Sequence, residues 1–194
     1  KGFRVLQSDK DVQLPDGTVV PSGLAFRNEF HLTEYSTADL FVPCGGRPEA
    51  VNVRNVHRLF RKDGTPRFKY IIEGANLFLT QDARLQLEKA GVVLYKDASA
   101  NKGGVTSSSL EVLAALSLTD EEFAEHMQVR ADGSRPEFYK KYVTQVQERI
   151  ESNAYLEWKC IWDEHERTGT PRSVLSDQLS LKINSLTDGI KQEL

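Results

Sequence analysis

The feature that most constrains the fold is an apolar segment that leads through small polar residues into a helix. Residues 92–96 indicate a buried strand, and the run Asp97-Ala-Ser-Ala-Asn-Lys-Gly-Gly-Val-Thr-Ser-Ser-Ser109 follows it. Glycines let backbone N–H groups approach a ligand closely, and the first turn of a helix carries unpaired donors. Ser108 and Glu111 have the spacing of a capping box, so one hydroxyl of the run could serve only the helix terminus. The run predicts a helix over 106–117, preceded either by a ligand-binding loop or by a plain connection.

Two earlier apolar segments end in the same way. A predicted strand over 39–43 runs into Cys44-Gly-Gly-Arg-Pro48, and one over 69–73 runs into Gly74-Ala-Asn76. Helices are predicted near 52–61 and over 81–90, so strands and helices alternate. This alternation is typical of an α/β fold with a covered parallel sheet. Right-handed crossovers place the three loops at one sheet edge, where ligands bind in such folds.

The three motifs, Pro-Cys-Gly-Gly, Glu-Gly-Ala-Asn and Asn-Lys-Gly-Gly-Val-Thr-Ser-Ser, together resemble those of a known enzyme family. Their order and spacing are similar to those of the glutamate, leucine, phenylalanine and valine dehydrogenases, and in particular to the large-subunit, NAD-specific branch of glutamate dehydrogenase. Most family members have Glu-Gly-Ala-Asn-Gly-Pro-Thr-Thr and Asn-Ala-Gly-Gly-Val, whereas this chain has Leu77-Phe-Leu-Thr80 and Lys102. The resemblance implies the C-terminal part of a Rossmann-like nucleotide-binding domain, preceded by a β-hairpin and followed by long C-terminal helices.

The resemblance also implies site residues at all three strand ends. Backbone atoms near Cys44 would line the crevice, Asn76 would contact the ribose or nicotinamide, and Asn101 would meet the nicotinamide. The cofactor implied is NAD, and the implied cofactor-binding residues are Pro43, Cys44, Gly45, Glu73, Gly74, Asn76, Asn101 and Gly103. The implied substrate-binding residues are Val105 and Ser108. Val105 would pack on the aliphatic part of the substrate or on the nicotinamide ring, and Ser108, which has Ser107 and Ser109 as neighbours, would hydrogen-bond a substrate carboxylate.

Several of these residues have a structural interpretation as well. Asn76 is of the type that caps a strand-to-helix turn, and the strand-end acids Glu73 and Asp97 are of the type that accepts loop N–H groups. Lys102 is not assigned as a catalytic base, because most of the family carries alanine there and a strand-end lysine is usually solvated.

Parts of the enzyme implied by the resemblance have no counterpart in this sequence. The family's catalytic lysine and aspartate lie on another domain, and the chain contains no Gly-x-Gly-x-x-Gly fingerprint. We therefore assign no catalytic residue in this chain, and we expect it to be inactive alone. Because it begins with Lys1, we expect it to be a piece of a longer polypeptide. We expect this chain to pack against the missing N-terminal part of the same polypeptide. The full-length protein is expected to form a homo-oligomer.

Composition restricts the other functions. With 39% hydrophobic residues and a net charge of -3, the sequence has no basic stripe that would favour nucleic acid. It has no apolar run of roughly 20 residues and no signal segment, so we expect no membrane span and no secretion. A cytoplasmic or mitochondrial-matrix location is expected. The four histidines lack ligand spacing, which predicts no metal site. Cys44 and Cys160 are too few for a disulfide scaffold, and Cys160 is predicted to be a small core residue.

The chain divides into three predicted segments. Residues 1–35 are interpreted as a β-hairpin insertion with β structure over 3–32, a turn at Pro15-Asp-Gly17 and a polar cluster at Arg27, Asn28, Glu29 and His31. Residues 36–118 form the C-terminal half of the nucleotide-binding domain. Residues 119–194 are helical.

Capping boxes at Thr119/Glu122 and Ser134/Glu137 open the first two helices of the helical segment, and the second is predicted to end at Gly169. A last helix is predicted to start at Thr170-Pro-Arg-Ser173. Apolar residues recur at three- and four-residue steps in the two long helices, which predicts core or interdomain packing.

Three functional hypotheses follow. The first is part of an NAD-dependent glutamate dehydrogenase that oxidises L-glutamate to 2-oxoglutarate and ammonium. The second is a dehydrogenase of leucine or phenylalanine. The third is a non-catalytic regulatory module that retains the fold. The choice of NAD over NADP rests on the resemblance, because no acidic strand-end residue that would hold the ribose hydroxyls is identified in this sequence.

Overall fold

A computed structural model of the protein describes residues 3–45 and 47–193. Four residues lie outside the described ones. They are Lys1 and Gly2 of the predicted first segment, Gly46 of the Pro-Cys-Gly-Gly motif, and Leu194 of the predicted last segment. The described residues up to Leu94 form one compact unit, here called unit 1. Those from Tyr95 onward form a second, here called unit 2.

Unit 1 begins with a hairpin and a short helix. Strands β1 (Lys10–Gln13) and β2 (Val19–Ser22) pair antiparallel. Gly17 adopts a φ of +86° in the turn between them, a conformation that glycine reaches without steric cost. Helix α1 (Gly23–Glu29) follows at once, because the Ser22 hydroxyl accepts the Ala25 N–H and caps its first turn.

The rest of unit 1 carries the α/β layer. Strands β3 (Leu40–Phe41), β4 (Tyr70–Ile72) and β5 (Val93–Tyr95) form a parallel sheet in the order β3-β4-β5 among the described residues. Helix α2 (Gln81–Lys89) connects β4 to β5 and is capped by Thr80. The predicted parallel α/β fold is therefore confirmed. Its core consists of fully or almost fully buried apolar side chains from the strands, from α2 and from the loops, among them Val51, Leu59, Ile71, Leu79, Leu87 and Leu94.

Unit 2 is helical after β5. It contains α3 (Asp97–Ala100), α4 (Gly103–Ser117), α5 (Asp120–Met127), α6 (Glu137–Thr168) and α7 (Arg172–Glu193). The capping box of Thr119 and Glu122 is present, with both reciprocal hydrogen bonds. Helix α6 ends where Gly169 adopts a φ of +70°, as the sequence predicts. The Thr170-Pro-Arg-Ser173 segment opens α7, also as predicted.

Four local predictions in unit 1 and in the loop after β5 are wrong. Residues 3–6 are not a strand, and α1 occupies positions that were predicted as β structure. The helix near 52–61 is only a 3-10 turn, Val56–Leu59, because the Asn55 side chain bonds the backbone of Asn52 and Ala50. The loop after β5 contains the helical turn α3, so α4 begins three residues earlier than predicted.

The early start of α4 places Ser108 and Glu111 inside the helix, where they form no capping box. Helix α6 likewise has Pro136, not Ser134, at its N-cap, with no side-chain cap. Cys160 is exposed rather than a core residue. The apolar stripes pack only in part: Ile161 and Leu175 are buried, whereas Phe138, Leu186 and Ile190 are exposed.

Candidate functional site

Two loops at the carboxyl ends of β3 and β4 are joined by backbone hydrogen bonds. They are the β3 loop (residues 42–45 and 47–50) and the β4 loop (residues 73–80). The Ala75 N–H donates to the Pro43 carbonyl at 2.6 Å, and the Glu49 N–H donates to the Leu77 carbonyl at 2.7 Å. Beyond them, Val51 forms a parallel bridge with Leu79. The structure therefore brings Pro43, Cys44, Gly45, Glu73, Gly74 and Asn76 together in one unit.

Gly74 allows the close contact between these loops. A Cβ at this position would lie 3.1 Å from Cys44 Sγ and 3.2 Å from the Pro43 carbonyl oxygen. Such distances are tighter than a normal van der Waals contact, so a side chain would push the β4 loop away from the β3 loop. Pro43 is buried, whereas Cys44, Gly45 and Asn76 are exposed. The loop pair thus exposes the small residues Cys44, Gly45 and Asn76, together with the larger apolar side chains of Val42 and Leu77.

Both loops contain a non-glycine residue in the left-handed region. Leu77 has a φ of +55° and Glu49 a φ of +56°, and the two residues share the Glu49-to-Leu77 hydrogen bond. Left-handed backbone costs an L-amino acid about 1–2 kcal/mol, and such residues cluster at functional sites. Leu77 therefore adopts a backbone conformation that glycine reaches without steric cost.

Glu73 is inside the protein rather than on its surface. Its side chain is 0% exposed, and its carboxylate accepts hydrogen bonds from Arg84 Nε at 2.7 Å and Nη2 at 2.9 Å. The Leu79 N–H also donates to this carboxylate, at 3.3 Å. Arg84 lies on α2 and is itself buried. Glu73 therefore accepts a loop N–H group and holds an ion pair, which matches its structural interpretation from sequence.

A cavity of about 540 Å³ lies beside the β3 loop, and its lining combines Pro43 and Gly45 with residues to which the sequence analysis gave no role in a site. Phe41, Pro43 and Phe78 supply its apolar lining, and the polar cluster from Arg27 to His31 lines it as well. Glu29 forms an ion pair there with Arg58, at 3.2 Å. The only sequence signal for this wall was the cluster itself.

His31 is the buried titratable group of that wall. Its ring stacks on Phe41, with centroids 5.9 Å apart, and lies near the Ala50 carbonyl. Within the described residues, its Nε2 has no hydrogen-bond partner. Burial lowers the pKa of His31 below its ordinary value. Burial therefore favours the neutral form of this imidazole over the charged one.

The third predicted motif lies in unit 2. Asn101 closes α3, and its N–H donates to the Asp97 carbonyl at 3.0 Å. A Cβ on Gly103 would lie 3.2 Å from the Ile150 side chain, so this glycine lets α4 pack closely on α6. Lys102 binds both carboxylate oxygens of Glu157 at 2.6 Å. That ion pair joins the N-cap of α4 to α6.

The structure separates the three neighbouring serines on α4. The Ser107 hydroxyl donates to the Gly104 carbonyl at 2.9 Å and so is used within its own helix. Among the described residues, the Ser108 hydroxyl has no such bond, and Ser108 is exposed. Val105 is 72% exposed. Both residues predicted to contact substrate are therefore accessible on the surface of unit 2.

Residues 3–45 and 47–193 contain no group of three or more histidine, cysteine, aspartate or glutamate side chains that could hold a metal ion. No helix in the same residues is long and apolar enough to cross a membrane.

Comparison with known proteins gives strong matches. The model of the glutamate/leucine/phenylalanine/valine dehydrogenase family matches residues 8–169. Glutamate dehydrogenase 2 of Dictyostelium discoideum is 61% identical over 191 residues, which is 98% of this chain and 18% of that protein. The NAD-specific glutamate dehydrogenase of Neurospora crassa is 58% identical over 191 residues, with the same coverage.

The NAD-specific glutamate dehydrogenase of Saccharomyces cerevisiae is 47% identical over 199 residues, which is 100% of this chain and 18% of that protein. The chain thus spans less than a fifth of the length of these relatives. A family match over most of the chain, together with identities of 47–61%, leaves no ambiguity about kinship. The chain belongs to the glutamate/leucine/phenylalanine/valine dehydrogenase family.

Proposed function

We propose that the chain is part of an NAD-dependent glutamate dehydrogenase that oxidises L-glutamate to 2-oxoglutarate and ammonium. The observation that carries this proposal is the joined loop pair at the carboxyl ends of β3 and β4, in a chain whose relatives include NAD-specific glutamate dehydrogenases. In open parallel sheets this edge is where nucleotide ligands bind. The chain would supply part of the cofactor crevice.

The residues of the loop pair fit a dinucleotide. Gly74 lets the β4 loop lie directly against Pro43 and Cys44, because a Cβ there would crowd both residues, so the two loops present one continuous surface to a ligand. Asn76 is exposed and offers both a donor and an acceptor, which suits a ribose or a carboxamide. We assign Pro43, Cys44, Gly45, Gly74 and Asn76 to this part of the crevice. Asn101 and Gly103 of unit 2 are assigned to cofactor binding from the family resemblance alone, and Glu73 supports the β4 loop from inside the protein.

The nicotinamide, when bound, would supply the hydride acceptor, and the protein would position the reacting groups. Within this chain, the exposed hydroxyl of Ser108 is suited to bind a substrate carboxylate, and Val105 is suited to contact the aliphatic part of the substrate. A proton acceptor for the amino group is not among the residues we assign. We therefore propose that catalysis needs residues from the rest of the polypeptide, and that this chain is inactive alone.

The first experiment measures reduced-nicotinamide formation by the parent polypeptide, with glutamate, leucine and phenylalanine offered in turn and with NAD or NADP. We expect glutamate and NAD to give turnover. Ser108→Ala should raise the KM for glutamate, whereas Ser107→Ala is the matched control, since the Ser107 hydroxyl bonds its own helix. Preference for leucine or phenylalanine, or no turnover by a folded protein, would replace this proposal by one of the other two hypotheses.

The two cysteines allow a second test with the chain itself. Cys44 and Cys160 are both free and exposed, but only Cys44 belongs to the proposed crevice. NAD should slow alkylation of Cys44 by a thiol reagent and leave the rate at Cys160 unchanged. Peptide mass spectrometry measures the two rates in one sample. Equal rates with and without NAD, at concentrations that support turnover by the parent protein, would argue against Cys44 in the crevice.

A further inference from the structure

We infer that Arg84 is a positioning residue, which acts through Glu73 to hold the β4 loop in the shape that binds the cofactor. This inference rests on the proposed function for its link to NAD. The link to the loop itself rests only on geometry. Neither Arg84 nor Glu73 contacts the reacting groups in this scheme.

The ion pair closes the base of the loop. Glu73 immediately follows β4, and Arg84 lies in the first turn of α2, on the other side of the loop. The two hydrogen bonds of 2.7 and 2.9 Å have the bidentate geometry that fixes both the distance and the orientation of the partners. The strand end and the helix start are thereby tied together, so the intervening loop has fixed ends.

The same carboxylate also holds the loop backbone. Its Oε2 accepts the Leu79 N–H, and Leu79 pairs with Val51 behind the β3 loop. Within the described residues, the side chains of Glu73 and Arg84 are 0% and 4% exposed, so water cannot take over these contacts. A change at Arg84 would therefore reach Asn76 through the loop, without a direct contact between the two residues.

A lysine at position 84 tests the bidentate geometry, because it keeps the positive charge and loses the planar fork. The double variant Glu73→Leu/Arg84→Met tests the positioning role apart from stability. It removes both buried charges together, a change that is often neutral for folding, but it leaves the Leu79 N–H without its acceptor. Arg167→Lys is the matched control, since Arg167 forms an exposed ion pair with Glu164 on α6.

The first readout is amide hydrogen exchange of the 194-residue chain. In both variants we expect the Leu79 amide and the peptides over 74–79 to exchange at least about tenfold faster, because the loop opens locally. In Arg84→Lys the Glu73 carboxylate loses the bidentate contact that orients it toward the Leu79 N–H, and in the double variant that carboxylate is gone. Peptides of α6 should be unchanged, and Arg167→Lys should match the wild type throughout. Unchanged exchange at Leu79 in both variants would overturn the inference.

The second readout is steady-state kinetics in the parent polypeptide. The KM for NAD should rise on the order of tenfold in both variants, with kcat and the KM for glutamate changed much less, since a misplaced supporting group weakens binding geometry. Faster loop exchange with an unchanged KM for NAD would overturn the link between the loop and the cofactor. An inactive wild-type parent polypeptide would instead contradict the proposed function. Hydrogen exchange would then be the remaining test of whether Arg84 positions the β4 loop.

Discussion

The β4 loop in unit 1 and the start of α4 in unit 2 are both short glycine-containing segments predicted to bind the same cofactor, yet they are built differently. The β4 loop is held by backbone bonds to the β3 loop and by a buried ion pair. Helix α4, by contrast, has no buried residue over Gly103–Ser117, all of which the structure describes. Glycine marks a close approach in both, but to another loop in one case and to a neighbouring helix in the other.

This difference shows that a glycine motif does not by itself determine how a site is held. In unit 1 the chain's own contacts fix the loop, because the polar groups at its base are buried and paired. In unit 2 the predicted substrate residues lie on a helix that is held by its own hydrogen bonds, while Val105, Val112 and Leu116 remain largely exposed. Substitutions should therefore destabilise the loop of unit 1 far more than the helix start of unit 2.

The largest effect is expected from Arg84→Met alone. It leaves the Glu73 carboxylate buried without its partner, and removal of one member of a buried pair costs about 3–5 kcal/mol. The loss in the free energy of unfolding is measured by urea titration, with hydrogen exchange of unit 1 peptides as the probe. A loss below about 1 kcal/mol is typical of exposed ion pairs and would show that this ion pair does not hold the loop. The proposed difference between the β4 loop and the start of α4 would then rest on the backbone hydrogen bonds alone.

A smaller effect is expected from Gly74→Ala. The added methyl group would meet Cys44 and the Pro43 carbonyl, and such overpacking costs about 1–3 kcal/mol. The matched control is Gly104→Ala in α4, where the structure shows open space and alanine gains up to about 1 kcal/mol of helix propensity. Thermal unfolding should thus give opposite signs for the two variants. The same sign in both would contradict the contrast between the regions.

The smallest effect concerns pH. Burial lowers the pKa of His31, so between the lowered value and the ordinary one of about 6.5 the unfolded chain binds more protons than the folded one. The stability of unit 1 is therefore unaffected by His31 above about pH 6.5 and falls as the pH drops below it. Unfolding temperatures of the wild type and of His31→Gln at about pH 7.5 and about pH 5 test this. An equal fall in both proteins would assign the pH dependence to other groups.

Sequence patterns predicted the parallel sheet because buried strands and amphipathic helices carry their own periodicity. They also placed β4, α2 and the end of α6 at Gly169 within a residue or two. Local competition accounts for the errors. Ser22 caps a helix where β structure was expected, and Asn55 bonds the backbone and shortens a helix to a 3-10 turn. The spacing of apolar residues predicts neither outcome, because each depends on a single hydrogen bond between a side chain and the backbone.

The site was predictable as a set of motifs but not as a set of contacts. The order of the three motifs indicated the family, and the loops at Pro43 and Gly74 do meet. The partner of Glu73 was not foreseen, because Arg84 is eleven positions away and reads as an ordinary helix residue. The cavity wall around His31 likewise depends on tertiary packing that brings residues 27–31 beside the β3 loop.

Helix α6 has a geometric consequence for the surface of unit 2. Its 32 residues, at 1.5 Å of rise each, make a rod about 48 Å long. A compact globule of about 100 residues has a radius of gyration near 13 Å, which corresponds to a sphere roughly 34 Å across. A rod longer than that sphere cannot be enclosed by so few residues. Exposed aromatic side chains along α6, such as Tyr155 and Trp158, are therefore a consequence of the ratio of length to volume in this unit.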